Sequence, residues 1–219
     1  MIIVIDGLSG SGKSSTAKAV AEKLGMQYLD SGALYRAVTY IWLEEEADEK
    51  LFLEKLFTKD IRFTYQDHQF HVWVDGEEVT GKIRTGRVSD HVSKVASISE
   101  VRNYVNDLMR KAVREDSYIA DGRDLGSVVF PDADLKFFMK ASIDVRARRR
   151  HAEMSAGGEN ISLSEVEKNL NQRDHLDSTR EIDPLRKPAD AIEIDTSGVT
   201  FEEQVSMICS IITEKLNIN

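Results

Sequence analysis

The sequence of 219 residues is poor in cysteine, and it contains no long apolar run. The single cysteine, Cys209, cannot form a disulfide within the chain, so nothing calls for an oxidising compartment. No apolar stretch approaches the roughly 20 residues that a membrane-spanning helix needs, and residues 1–7 lack the features of a secretory signal peptide. Collagen-like, disulfide-rich, membrane and disordered classes are therefore excluded. We expect a globular protein of the cytoplasm with no membrane partner.

Positive charge is also in short supply. The formal net charge is -9, so a phosphate polymer would repel the chain, and we expect no nucleic acid partner. The arginines are nevertheless concentrated, because nearly all of them lie between Arg84 and Arg186. This concentration fits either a concave anion-binding site or a set of solvated helix faces with ordinary ion pairs. Composition alone favours the second interpretation.

Short apolar segments alternate with amphipathic segments along most of the chain. The β-branched run at residues 2–5 has no polar alternation, which is typical of a strand buried on both faces of a parallel sheet. Further strands are predicted at 28–30, 118–120, 135–139 and 191–194, and helices at 14–24, 32–46, 101–112, 142–155, 163–177 and 200–216. This alternation predicts an α/β fold with a mostly parallel central sheet flanked by helices.

One segment departs from this pattern. Residues 61–79 alternate between apolar and polar, with a four-residue turn at 66–69 and a second hairpin signal at Asp75-Gly76. They predict a small antiparallel β-meander inserted into the βα chain. We therefore assign 50–90 to an inserted subdomain, and 1–49 with 91–219 to the core. Later in the chain, Gly157 and Gly158 follow an arginine-rich helix and are candidates for a hinge.

Residues 7–14 fit the phosphate-binding motif G-x-x-x-x-G-K-[ST], between a buried strand and a helix. The glycines let backbone amides approach phosphate oxygens, and the helix N-terminus adds its dipole. Lys13 would reach the β- and γ-phosphates, and Ser14 would hold Mg²⁺. The motif predicts nucleoside triphosphate binding and is silent about a second substrate. The predicted ATP-binding residues are Gly7, Leu8, Ser9, Gly10, Ser11, Gly12, Lys13, Ser14 and Ser15.

Among P-loop proteins, a small kinase with a small acceptor fits this length best. The chain lacks the N-K-x-D motif of GTPase switches, and a large ATPase motor would need more chain. Residues 121–126 follow a predicted strand, so their charges emerge where open α/β sheets bind ligands. Arg173, Asp177 and Arg180 share one helix face. On spacing alone, these three favour an exposed ladder of ion pairs.

Together these segments resemble the bacterial cytidylate kinases, which are nucleoside monophosphate kinases of the P-loop class. The similar segments are the P-loop, D-S-G-A-L-Y-R at 30–36, the inserted meander, S-K-V-A at 93–96, D-G-R-D at 121–124, F-P-D-A-D at 130–134 and R-D-x-x-D-x-x-R at 173–180. The resemblance covers nearly the whole chain. The P-loop alone is not specific to this family, but its combination with the insert is.

The resemblance implies ATP and CMP or dCMP as substrates, Mg²⁺ as cofactor and a monomeric protein. It implies that Ser93, Arg102 and Asp124 read the cytosine, that Asp177 binds the ribose and that further arginines clamp the phosphate. The implied CMP-binding residues are Ser31, Tyr35, Arg36, Ser93, Arg102, Asp121, Gly122, Arg123, Asp124, Asp177 and Arg180. The implied catalytic residues are Lys13, Arg123, Arg173 and Arg180. A helical lid at about 146–173 would carry Arg146, Arg149 and Arg150.

Two other functions remain open on the sequence. One is a P-loop kinase for another acceptor, such as UMP, AMP or a small metabolite. The other is a noncatalytic module that binds ATP and needs no acceptor. Some single residues also have simpler interpretations, since Ser31 could cap a helix and Tyr35 could be a half-buried core aromatic.

Overall fold

The computed structural model of the protein describes residues 1–45, 48–113, 116–158 and 160–217. The strands are β1 (Ile2–Gly7), β2 (Gln27–Asp30), β3 (Ile61–Gln66), β4 (Gln69–Val74), β5 (Glu77–Glu78), β6 (Tyr118–Gly122), β7 (Leu135–Lys140) and β8 (Ile192–Asp195). The α-helices are α1 (Lys13–Leu24), α2 (Ser31–Glu45), α3 (Glu49–Leu56), α4 (Gly86–Val95), α5 (Ser99–Ala112), α6 (Ile143–Ala156), α7 (Leu163–Thr179) and α8 (Phe201–Leu216). Across these described ranges, no helix combines the length and apolar character needed to cross a membrane.

The main sheet is parallel and has the strand order β2-β6-β1-β7-β8. Ile3, Val4 and Ile5 of the central strand are fully buried, as their unbroken apolar run predicts. Asp121 of β6 lies opposite Ile5 on one side and Asp30 on the other. The carboxyl ends of β1, β2 and β6 therefore meet at one edge of the sheet, where the loops that follow them come together. The predicted α/β fold is confirmed.

The inserted sheet is antiparallel, with the order β3-β4-β5. Its first hairpin is tighter than the sequence predicts, because Gln66 pairs with Gln69 and only Asp67 and His68 form the turn. Both turn residues have positive φ angles, 49° and 57°, as a two-residue hairpin turn of the type I′ form requires. The turn looked longer in the sequence because Gln66 and Gln69 are polar and adjoin Asp67 and His68, so the apolar alternation did not show that they pair.

Two helices of this region were not predicted. Helix α3 is short, and Asp48 caps it by accepting a hydrogen bond from the Leu51 amide at 2.9 Å. Helix α4 buries Val88, Val92 and Val95 against the protein and packs on α2. Because α4 runs across residue 90, the boundary that we placed there falls inside a helix. The end of the predicted helix at residue 46 lies outside the described residues.

The inserted sheet and the main sheet share one continuous hydrophobic core. Phe52 and Val72 of the insert belong to the same buried cluster as Ile5 and Leu29 of the main sheet. A smaller cluster of Ala147, Val166 and Leu170 joins α6 to α7. The insert is therefore packed onto the core over a wide area, whereas α6 and α7 are held to each other by a cluster of their own.

Gly7, the last residue of β1, supports a first test of the fold. A Cβ atom at this position would lie 2.1 Å from the backbone carbonyl oxygen of Met139, which the β1–β7 ladder holds in place. We expect Gly7→Ala to lower the free energy of unfolding by roughly 1–3 kcal/mol through overpacking. Urea unfolding measures this change. The control is Gly198→Ala, where the added Cβ meets nothing within 4 Å. Equal losses in the two variants would contradict the packing described here.

Candidate active site

A cavity of about 600 Å³ opens at the carboxyl edge of the main sheet. It lies between the P-loop, α2, α4, the end of β6 and the helices α6 and α7. The predicted site residues that line it are Gly10, Gly12, Lys13, Ser14, Ser15, Ser31, Tyr35, Arg36, Ser93, Arg102, Asp121, Gly122, Arg123, Asp124, Arg149, Arg150, Arg173, Asp177 and Arg180. Gly7, Leu8, Ser9, Ser11 and Arg146 are not among its lining residues. The fold thus gathers most of the predicted residues in one place.

The P-loop joins β1 to α1 with backbone angles that suit glycine. Gly10 and Gly12 have φ angles of 71° and 87°, in the left-handed region that other residues rarely adopt. Helix α1 begins at Lys13, and Gly12 caps it without a side-chain hydrogen bond. The first turn of the helix carries no acidic residue, so its N-terminus presents free amides and the positive end of the dipole. This end of the cavity is suited to an anion.

Lys13 is buried, and its Nζ donates to the Leu8 carbonyl oxygen at 3.1 Å. Burial lowers the pKa of Lys13, and the positive charge of Arg123 lowers it further. Both effects disfavour the ammonium form. A polyphosphate next to Lys13 would oppose them, because negative charge stabilises the ammonium group.

Asp121 lies at the centre of a set of hydroxyl contacts. One carboxylate oxygen accepts from Ser14 Oγ at 2.6 Å, and the other accepts from the Tyr28 hydroxyl at 2.6 Å. The Asp121 carbonyl oxygen accepts from Ser31 Oγ, also at 2.6 Å. Burial raises the pKa of Asp121, and Asp30 raises it further. Tyr28 was missed by the sequence analysis, because nothing in its pattern separates it from a core aromatic.

This arrangement fits a small divalent cation. Mg²⁺ prefers oxygen ligands, and it binds in P-loop proteins beside the hydroxyl that follows the P-loop lysine. The Ser14 hydroxyl and the Asp121 carboxylate supply two such oxygens next to the P-loop. Within the described residues, there is no cluster of three or more acidic, histidine or cysteine side chains that could hold a metal alone. The two oxygens of Ser14 and Asp121 therefore suit an ion whose other ligands are phosphate oxygens.

Arg102 and Asp124 form a buried ion pair in the wall of the cavity. Arg102 NH2 donates to Asp124, and Arg102 NH1 donates to the Ala96 carbonyl oxygen at 3.2 Å. The guanidinium lies 5.5 Å from the centre of the Tyr35 ring. Arg180 NH2 donates to the second oxygen of Asp124 at 3.0 Å. Side chains from four segments thus form a polar end wall, with Ser93 beside it.

The middle of the cavity is strongly basic. Arg123 Nε donates to Asp177 at 2.9 Å, and Arg123 NH2 donates to Ser9 Oγ at 2.9 Å. Arg173 is different, because its Nε is buried and has no hydrogen-bond partner among the described residues. Burial, together with the charges of Arg123 and Arg36, lowers the pKa of Arg173 to about 10. Since Asp177 is buried and bonds Arg123, the exposed ladder of helix ion pairs is not what forms here.

The three lid arginines have different surroundings. Arg146 is buried behind the cavity, where its NH1 donates to the Ser9 carbonyl oxygen at 2.9 Å and to Asp174. Asp174 in turn accepts from the Ser9 amide at 2.9 Å. Arg149 donates to the Thr196 carbonyl oxygen at 2.7 Å and lines the cavity. Arg150 pairs with the exposed Glu153 at 3.2 Å. Arg146 therefore supports the P-loop from behind, whereas the other two face the cavity.

Several other lining residues were missed, among them Arg84 and Gln204. Arg84 of the insert reaches Asp30 at 3.3 Å, and its only signal was its place in the arginine-rich half. Gln204 of α8 donates to Thr16 Oγ1 at 2.6 Å, while its Oε1 is buried with no partner among the described residues. In the sequence, Gln204 was one of several polar residues on an amphipathic helix. Only the packing of α8 on α1 brings it to the cavity.

The parallel sheet, the P-loop between β1 and α1 and the basic cavity define a small P-loop kinase. The sequence pattern of the family described as cytidylate kinase matches residues 3–214. A cytidylate kinase of Carboxydothermus hydrogenoformans is 44% identical over 221 residues, which cover 100% of each chain. One of Chloroherpeton thalassium is 45% identical over 223 residues, which cover 99% of this chain and 95% of that protein. The chain belongs to the cytidylate kinase family, as its motifs predicted.

Comparison with a solved structure supports the fold and nothing beyond the fold. A gluconokinase from Sinorhizobium meliloti superposes with a TM-score of 0.51 at 16% identity. The match covers 98% of this chain and 94% of that chain. At this level of identity, the similarity concerns the arrangement of strands and helices and not the substrate.

The contact of Arg146 and Asp174 with the P-loop supports a second test. Removing one partner leaves a buried charge uncompensated. We expect Asp174→Asn and Arg146→Met each to lower the free energy of unfolding by roughly 2 kcal/mol or more, and the double variant to lose clearly less than their sum. Urea unfolding of all three variants measures the coupling. The control is Arg150→Met, because an exposed pair contributes at most about 1 kcal/mol. If the loss of unfolding free energy in the double variant equals the sum of the two single losses, Arg146 and Asp174 do not stabilise the fold as a pair.

Proposed function

We propose that the protein transfers the γ-phosphoryl group of ATP to CMP, and to dCMP, to give ADP and CDP or dCDP. One observation carries this proposal beside the family membership. A single cavity is lined by the P-loop, by arginines and by the buried pair of Arg102 and Asp124. Arg123 contacts the P-loop through Ser9, and Arg180 contacts the buried pair through Asp124, so the arginines connect the two. This order matches the order of groups in the two substrates, with the phosphates between the P-loop and the base.

The acceptor phosphate is the nucleophile. One of its oxygens attacks the γ-phosphorus of ATP in line, the new P–O bond forms, and the bond from the γ-phosphorus to the bridging oxygen breaks. The leaving group is ADP. Since the attacking phosphate is already an anion, no catalytic base is needed. The site has to bring two anions together and to stabilise the charge on the group in transfer.

Lys13, Arg123, Arg173 and Arg180 are the residues to which we assign this task. Lys13 would contact the β- and γ-phosphates, and the arginines would clamp the acceptor phosphate and the group in transfer. The unpartnered Nε of Arg173 supports this assignment, because a buried guanidinium donor without a partner is suited to bind an incoming oxygen. Arg36 would bind the CMP phosphate as well, from the opposite wall of the cavity.

A divalent metal accompanies ATP in this kinase family, and we propose Mg²⁺ in this protein. Ser14 and Asp121 are the residues that would hold it. The Ser14 hydroxyl would bind the ion, and the Asp121 carboxylate lies beside that hydroxyl. When bound, the ion would supply positive charge to the phosphate oxygens. Tyr28 keeps the Asp121 carboxylate in place from the side away from the cavity.

Hydrogen-bond polarity supports cytosine as the base. Cytosine presents an amino donor at N4 and acceptors at N3 and O2. Ser93 and Asp124 can accept from the amino group, and Arg102 can only donate, which suits N3 and O2. Uracil would place an oxygen against Asp124 and an N–H against Arg102. Asp177 would bind the ribose through the 3′-hydroxyl, which CMP and dCMP share.

Several further statements stay predictions. We propose that residues 146–173 form a lid that closes over ATP and excludes water, since Gly157 and Gly158 lie between α6 and α7. Gly158 has a φ angle of 83° and nothing within 4 Å of an added Cβ, as suits a hinge. We also propose that residues 50–90 act as the subdomain that binds the monophosphate. Location in the cytoplasm, a monomeric state and the lack of a nucleic acid partner are likewise predictions.

A panel of acceptors tests the function itself. ADP release is measured with CMP, dCMP, UMP and AMP in turn, and without acceptor. We expect release that depends on CMP or dCMP. Equal release with UMP or AMP would favour a kinase for another acceptor, and release that no acceptor stimulates would favour a noncatalytic nucleotide-binding module.

Lys13→Ala tests the assignment of the P-loop. We expect kcat to fall by about 10²-fold or more, because the side chain contacts the group on which charge develops. The control is Lys23→Ala at an exposed position of the same helix, which should keep normal activity. Thermal unfolding of both variants shows that they are folded. A Lys13→Ala protein with most of its activity would rule out the proposed role of this loop.

Arg102→Met and Asp124→Ala test the reading of cytosine. In each variant we expect kcat/KM for CMP to fall by about 10²-fold or more. We expect kcat/KM for UMP to fall much less, so that the preference for CMP over UMP becomes smaller. The ratio of the two values does not depend on the fraction of active protein. Arg110→Met is the control, because Arg110 lies on the same helix as Arg102 but bonds the carbonyls of Val128 and Val129. Equal losses for CMP and UMP would mean that these residues position the site without reading the base.

A further inference from the structure

Two arginines and two aspartates form a closed ring at the base end of the cavity. Arg102 and Arg180 both donate to Asp124, as described above. The ring is closed by Asp183, which lies in the loop after α7. Its carboxylate accepts from Arg102 Nε at 2.8 Å, and its backbone carbonyl oxygen accepts from Arg180 Nε at 2.6 Å. The formal charges of the four side chains cancel.

The backbone at Asp183 is shaped for this double contact. Its φ angle is 49°, in the left-handed region that residues other than glycine, asparagine and aspartate seldom adopt. In this conformation the carbonyl group meets Arg180 while the side chain meets Arg102. Asp183 therefore contacts Arg102 through its carboxylate and Arg180 through its carbonyl oxygen. A substitution can remove the first contact and keep the second.

Asp183 limits the orientations that are open to Arg102. A guanidinium has five N–H donors. In Arg102, Nε bonds Asp183, NH1 bonds the Ala96 carbonyl oxygen and NH2 bonds Asp124. These three contacts leave one N–H on each terminal nitrogen for a ligand. Because Asp183 lies on the Nε side, it fixes the rotation of the guanidinium plane and with it the direction of the two remaining donors.

We propose that Asp183 is a positioning residue that sets the preference for cytosine by holding Arg102 in the orientation that reads the base. This inference rests on the proposed function, because it concerns how that site chooses among pyrimidines. Without the carboxylate, Arg102 would keep Asp124 and Ala96, but its Nε would have no acceptor, and only the contacts of the two terminal nitrogens would oppose a small turn of the guanidinium plane. A donor that can turn loses much of its power to reject a base of the wrong polarity.

Asp183→Gly separates the two contacts. Glycine adopts the left-handed conformation readily, so the carbonyl contact to Arg180 is retained and only the carboxylate contact to Arg102 is lost. We expect kcat/KM for CMP to fall by about 10-fold, the scale of one charged hydrogen bond, and that for UMP to change by less than about 3-fold. Asp183→Asn keeps a neutral acceptor and tolerates the same backbone, so its loss should lie between the wild type and Asp183→Gly.

The controls test whether the effect passes through Arg102. In an Arg102→Met background, Asp183→Gly should leave the ratio of CMP to UMP unchanged, because the group that it positions is gone. Glu181→Gly, at an exposed position of the same loop, should leave that ratio at the wild-type value. Thermal unfolding of each variant shows whether the fold is intact.

The possible results can be told apart. An unchanged ratio in Asp183→Gly, or an equal fall for CMP and UMP, would overturn the role of Asp183 while leaving the kinase function in place. If Asp183→Gly also changes the ratio of CMP to UMP in the Arg102→Met background, the role of Asp183 is overturned as well, because its effect does not then depend on Arg102. A wild-type protein that shows no stimulation by CMP would overturn the proposed function instead.

Discussion

The pairing of buried arginines with aspartates from other parts of the chain is the interaction on which the site depends. Arg102 meets Asp124, and Arg123 meets Asp177, over separations of 22 and 54 residues in the sequence. Guanidinium groups that are brought together away from water repel one another and lose their hydration. The aspartates offset this cost within the protein itself. An acidic protein can therefore fold around a basic cavity.

Helix α7 connects these pairs to each other. Asp174 bonds the P-loop, Asp177 bonds Arg123, and Arg180, the C-cap residue, bonds Asp124. The last turns of this helix therefore contact three different parts of the cavity and its surroundings. A shift of α7 would change all three contacts together. The same helix packs against α6 through a small cluster of its own, separate from the main core. Helix α7 is thus packed in part by a cluster that lies outside the main core.

The sequence predicts the parts of this site that depend on local pattern. The P-loop could be found because a buried strand, a glycine-rich turn and a helix start coincide at residues 2–14, and its nucleotide chemistry follows from Lys13. The partners of the arginines could not be found in this way. Asp174 reaches Arg146 only because α7 packs on α6, and Asp183 reaches Arg102 only because the loop after α7 meets α5. Asp174 belongs to the motif at 173–180, but the motif does not reveal its partner, and Asp183 does not stand out in the sequence. Arg146 was grouped with its neighbours, since a helix with arginines on several faces does not reveal which one is buried.

The contrast between paired and unpaired cations indicates where the phosphates belong. Arg102, Arg123 and Arg180 have carboxylate partners, so their positions are fixed by the protein itself. Lys13 and Arg173 form no ion pair with the described residues. Burial lowers the pKa of Lys13, and the charges of Arg123 and Arg173 lower it further. An anion placed between Lys13 and Arg173 would offset this repulsion. On the proposed function, that anion is the phosphoryl group in transfer, so these two cations depend on the substrate for a partner, whereas Arg123 and Arg180 already have one from the protein.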